Sequence, residues 1–82
     1  MSLVNIYVRA LNRSYDFKVN EMTEVGQLAE EIVETIAQQE RLPLEKNAGL
    51  FLLCDPQTAR IFALASTLAE NGIASGDTLL LV

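Results

Sequence analysis

The sequence predicts an α+β domain, a mixed sheet of four or five strands packed on one helix in the order ββαββ(turn)β. Three observations carry this prediction. The hydrophobic period is 2 over the first twenty residues, becomes 3.6 over residues 25–37, and gives way to short apolar runs after Pro43. At 82 residues the chain holds one domain, placed at residues 3–82.

The elements follow in order. Val4, Ile6 and Val8 share one face of a strand, with Asn5, Tyr7 and Arg9 on the other. Leu11-Asn12-Arg13-Ser14 has turn chemistry, and Asn12 tolerates a left-handed backbone. Tyr15, Phe17 and Val19 then alternate with Asp16 and Lys18, completing a hairpin. Val25, Leu28, Ala29, Ile32, Val33, Ile36 and Ala37 form an unbroken helical stripe, so a helix is expected over about residues 24–40. Thr23 is the best candidate for its N-cap, with Glu24 in the first turn. Pro43 stops it at or before Leu42.

Leu44–Ala48 reads as a polar connection and Gly49–Cys54 as an apolar strand. Asp55-Pro56-Gln57-Thr58 is a turn, and Arg60-Ile61-Phe62 a brief strand. Thr67 to Gly72 fits one helical turn with a Thr cap and a Gly stop, and residues 74–77 a further turn. Thr78–Val82 is the terminal strand. The expected inward set is Val4, Ile6, Val8, Tyr15, Phe17, Val19, Leu28, Ile32, Val33, Ile36, Leu68, Ile73, Leu79 and Leu81.

Composition narrows the function. Apolar residues make up 50% of the chain and charged ones 21%, which excludes a disordered or low-complexity class. Six Lys+Arg against eleven Asp+Glu give a net charge of −5, which disfavours nucleic acid and anionic membrane surfaces as partners. No run is long enough for membrane insertion, and no signal peptide is visible, so a cytoplasmic location is expected. One cysteine, Cys54, forbids an intrachain disulfide.

No catalytic, cofactor-binding or metal-ligating residue is predicted, and the chain is not expected to be an enzyme. Without His, neither Ser nor Cys has its usual activating base, and the commonest metal ligand is absent. Cys54 reads as a small apolar strand residue. Asp55 and Asp77 read as turn formers, and Glu30, Glu31 and Glu34 as a solvated helix face. The glycines at 26, 49, 72 and 76 make no phosphate-binding spacing.

The element order resembles the ubiquitin-like β-grasp. Val-Asn-Ile-Tyr-Val-Arg at 4–9 looks like the first strand of that family, and Leu42-Pro43 follows the helix as an Ile-Pro pair does there. Thr67–Ile73 followed by Gly76–Val82 is the most telling stretch. Within the superfamily, Asn71–Leu79 resembles bacterial proteins of the YukD/EsaB type, associated with type VII (WXG100) secretion. That resemblance implies a non-conjugated protein–protein interaction module. Conjugating ubiquitins and sulfur carriers use a mobile Gly-Gly end, whereas Leu79–Val82 reads as packed strand. Two alternatives remain open: a carrier or modifier whose Gly-Gly is missing, and a docking domain excised from a larger protein.

Apolar residues exceed what one helix can cover. Residues 50–53 and 79–82 are apolar at consecutive positions, so each run must expose side chains on the open sheet face. The resemblance places Leu50 and Leu52 inward, and Phe51 and Leu53 outward. Leu11, Phe51, Leu53, Leu80 and Val82 are the expected protein-binding residues, on a surface for a protein partner or a homodimer.

Overall fold

A computed structural model describes residues 1–42 and 51–82. The chain runs β1 (Ser2–Val8), β2 (Arg13–Val19), α1 (Val25–Glu40), β3 (Leu53–Cys54) and β4 (Thr78–Leu81). The strands form one sheet in the order β2-β1-β4-β3. β1 pairs antiparallel with β2 and parallel with β4, and β3 pairs antiparallel with β4, so the sheet is mixed. The expected fifth strand shrinks to one bridge between Cys54 and Ile61. The expectations for Pro43, the 44–48 connection and Leu50 lie outside the described residues.

The alternation of β1 is realised fully: Val4, Ile6 and Val8 are buried on the helix side. The hairpin turn uses Asn12 at φ 52°, the left-handed conformation its short polar side chain tolerates. Together with Val25, Leu28, Ala29, Ile32 and Ile36 from α1, and Leu68, Leu79 and Leu81 from the second half, these strand residues make one core. Tyr15, Phe17, Val33 and Ile73 pack at its margin, half-buried. The expected inward set lacked two of the bulkiest fully buried side chains, Phe62 and Leu53.

The start of α1 departs from expectation. Thr23 is not the cap. Glu24 occupies that position and makes no side-chain capping bond. The first helical N–H groups are satisfied from across the molecule: Val25 N–H donates to the Ser66 carbonyl at 2.7 Å and Gly26 N–H to that of Leu64 at 3.0 Å. Backbone carbonyls thus do the work a local side chain would do. Gly26 permits the approach, because a Cβ there would sit 3.3 Å from Leu64 O and 3.4 Å from Leu64 Cβ.

The helix ends on a left-handed residue. Arg41 has φ 54° and ψ 40°, and Leu42 N–H donates to the Ala37 carbonyl at 2.9 Å. Glycine is the usual occupant of such a C-terminal position, since a Cβ is disfavoured there. Arg41→Gly is therefore expected to raise the unfolding free energy by about 0.5–1 kcal/mol, read from urea denaturation midpoints. A lowered midpoint would show that the arginine side chain contributes more than its backbone costs.

Two later turns position β4. Thr67 and Glu70 form a reciprocal capping box: Glu70 N–H donates to Thr67 Oγ1 and Thr67 N–H to Glu70 Oε1, both at 3.1 Å. Gly72, at φ 72°, then closes the single helical turn. Asp77 Oδ2 accepts from Ala74 N–H at 2.8 Å, and Asp55 Oδ1 from Gln57 N–H at 2.8 Å, so both aspartates form turns as expected.

Candidate protein-docking surface

The β1–β4–β3 register fixes which side chains share the open face. Tyr7 lies opposite Leu80, Leu80 opposite Cys54, and Cys54 opposite Ile61. Leu52 and Val82 exchange backbone hydrogen bonds at 3.1 and 3.0 Å, which extends the ladder by one pair beyond β3. Directly opposed residues in a sheet point to the same face. Tyr7, Leu80, Cys54 and Ile61 therefore form one row across the sheet, with Leu52 and Val82 beside it. Ile61 is 54% exposed and Val82 42%, while Tyr7, Leu52 and Leu80 are half-buried.

The five residues singled out from sequence do not come together. Leu80 and Val82 lie on the open face. Leu53 does not: it is fully buried, and its register with Leu81 turns it into the core. The expected parity of this segment is thus reversed. Leu52 shares the face of Val82, and Phe51 lies on the helix side. Leu11 and Phe51 line a separate apolar groove with Val8, Ile36, Ala37, Leu42 and Leu81. Leu11 is half-buried against the core, and Phe51 is 36% exposed.

Tyr7, Leu52, Cys54 and Ile61 were not singled out. Tyr7 was legible as an outward residue of β1, but its place beside Leu80 depends on the parallel β1–β4 pairing. Cys54 is buried although its register puts it on the open face, and it lies outside the main core cluster. Burial pushes its thiol pKa up, so the sulfur is held as a neutral thiol.

Among the described residues few charged groups have an ionic partner. Among the described residues the salt bridges are Arg13–Glu40 at 3.1 Å and the Met1 amino group with Glu21 at 3.5 Å. Glu40 also accepts from the Tyr15 hydroxyl at 2.7 Å. That hydrogen bond, with Arg13 beside it, holds the Glu40 carboxyl below the usual range; the same bond and burial raise the Tyr15 hydroxyl above its own, against the opposing effect of Arg13. This network ties β2 to the last residue of α1. No group of three or more Cys, Asp or Glu among the described residues could hold a metal. No helix among them is long and apolar enough to cross a membrane.

A family model described as "WXG100 protein secretion system (Wss), protein YukD" matches residues 3–81. No curated protein matches the chain. Among solved structures, the EccD5 ubiquitin-like domain from Mycobacterium xenopi superposes with a TM-score of 0.75 at 20% identity, covering 99% of this chain and 91% of that one. A chain of the MycP5-free ESX-5 inner membrane complex superposes with a TM-score of 0.81 at 16% identity; the match covers 99% of this chain but 20% of that one. A designed protein based on human erythrocytic ubiquitin is 26% identical, with a TM-score of 0.72 and coverage of 100% and 90%. The fold is the ubiquitin-like β-grasp.

Proposed function

The chain belongs to the YukD family of the WXG100 protein secretion system, and from that membership we propose that it is a non-conjugated, non-catalytic docking module working in the cytoplasm as an accessory of type VII secretion. The observation that carries this reading is the family match across residues 3–81. The open face supports it, because Tyr7, Leu52, Leu80, Val82 and Ile61 place contiguous apolar surface where one helix cannot reach.

The reciprocal backbone hydrogen bonds of Leu52 and Val82 hold the end of β4 in place beside β3, which keeps the side chains of the open face in register. The likeness to the ESX-5 complex favours a second reading, in which this fold is one domain of a larger assembly protein; the match spans one fifth of that chain.

The test is a calorimetric titration of the chain with each purified cytoplasmic component of its cognate secretion system. At least one is expected to bind. Leu80→Ser combined with Val82→Ser should weaken that binding by at least about tenfold, the loss of one modest hot spot. The melting midpoint should stay within a few degrees. Absence of binding by every component, or unchanged affinity in the double variant, would overturn the reading.

A further inference from the structure

β2 is an edge strand of the described sheet, and among the described residues its outer backbone has no partner. In the parallel pairing of β1 with β4, Asn5 N–H donates to Asp77 O and Arg9 N–H to Leu81 O, so the odd-numbered residues of β1 turn their backbone groups toward β4. The even-numbered ones turn toward β2, where Val4 faces Phe17, Ile6 faces Tyr15 and Val8 faces Arg13. On β2 the odd-numbered residues are therefore the ones bonded inward. Ser14, Asp16 and Lys18 aim their N–H and C=O groups out of the sheet. Among the described residues nothing bonds them there: no residue of β2 takes part in a backbone hydrogen bond outside its ladder with β1. All three side chains are exposed, and neither Asp16 nor Lys18 has an ionic partner among the described residues.

We propose that two copies of this chain pair through β2, antiparallel about a two-fold axis at Phe17, to make one continuous eight-stranded sheet. The charge pattern of the edge selects this occupant and this register. Outward-bonding residues must meet outward-bonding residues, which leaves a short set of registers. Centring on Asp16 sets Asp16 opposite Asp16, and centring on Lys18 sets Lys18 opposite Lys18. Centring on Phe17 sets Asp16 opposite the other copy's Lys18 twice over, related by the symmetry. Among the registers that set outward-bonding residues opposite one another, the Phe17-centred one alone puts Asp16 opposite Lys18.

The groove side fits the same register. Phe17 meets its own symmetry mate, and Tyr15 lies opposite the other copy's Val19. Tyr15 and Phe17 are half-buried in the single chain, their rings tilted with centroids 6.5 Å apart. Phe17 lines a groove along this edge with Val19, Leu28 and Ile32; those three are buried, and the half-buried Phe17 ring supplies the accessible apolar surface. Charged residues on an edge strand ordinarily discourage pairing with strangers. Here they also specify the partner.

The test is sedimentation of the full chain over a concentration series, with four variants. The unmodified chain should dimerise. Asp16→Lys alone sets Lys opposite Lys twice, and Lys18→Asp alone sets Asp opposite Asp twice; each should raise the dimer Kd by at least about tenfold. The double exchange, Asp16→Lys with Lys18→Asp, restores opposite charges in the same register and should return the Kd to within about threefold of the starting value. Leu80→Ser, on the open face, should leave it unchanged. Both charged side chains are exposed and Asp16 accepts one exposed hydrogen bond from Asn5, so below the dimer Kd the charge variants are expected to melt within a few degrees of the parent. A chain that stays monomeric up to about 1 mM overturns the proposal. So does a dimer indifferent to the single exchanges, one not rescued by the double exchange, or one lost in Leu80→Ser.

Discussion

Phe62→Ala is expected to lower the unfolding free energy by about 3–5 kcal/mol. Phe62 is 1% exposed and heads the fully buried side chains by volume. Its N–H donates to the Leu53 carbonyl at 3.0 Å, which holds the ring's backbone against the short β3 strand. The core is small, so the cavity has few neighbours able to collapse into it. A domain of this size has about 4–12 kcal/mol of stability in all. Urea denaturation of the variant should show a midpoint shifted by a large fraction of the total, or no folded baseline. A shift worth less than about 1 kcal/mol would show that the ring is not a core anchor.

The second large effect is expected at Gly26. A valine there must place its Cβ 3.3 Å from Leu64 O, with two further methyl groups to accommodate. Overpacking of this kind costs about 1–3 kcal/mol. It would also push away the loop whose carbonyls accept from Val25 and Gly26 N–H, leaving the helix start without its caps. Gly26→Ala separates the two causes. Alanine gains about 1 kcal/mol of helix propensity while asking Leu64 to yield by only tenths of an ångström. The alanine variant should melt within a few degrees of the parent, and the valine variant well below both. Equal midpoints for the valine variant and the parent would show that the 64–66 loop moves freely and does not cap the helix.

The two periodicities made most of the fold legible. Val4, Ile6 and Val8 alternate because one sheet face is buried, and the stripe from Val25 to Ala37 is continuous because α1 lies along that face. Turn residues were legible for the same local reason: Asn12, Asp55, Asp77 and Thr67 each do in the structure what their side chains do in isolation. The start of α1 was not legible, because its caps are carbonyls of Leu64 and Ser66, some forty residues downstream. No side-chain type announces a backbone acceptor.

The candidate surface was half legible for a related reason. A run such as Phe51-Leu52-Leu53 carries no alternation, so either parity satisfies the pattern. The pairing of Cys54 with Leu80 settles it, and that pairing is long-range. Leu53 consequently turns inward and Leu52 outward, against expectation. Leu11 was read as a turn residue of the recognition face, but its turn closes over the helix side. Leu80 and Val82 were read correctly as facing away from the core, because Leu79 and Leu81 had an unambiguous claim on it.

The placement of β4 between β1 and β3 has a consequence for how the molecule comes into being. Of the four described strands, the first to be made lies beside the last, and β3 reaches the sheet only through β4. A nascent chain that has emerged as far as Asp77 possesses a hairpin and a helix but lacks Leu79 and Leu81 of the core, and β3 has no strand to pair with. Contacts that join distant parts of a chain are slow to form, because the loop entropy must be spent before any of them is rewarded. The chain must therefore be held off from neighbours until residues 78–81 leave the ribosome. During that interval the exposed flank of β1 is the surface at which aggregation would begin.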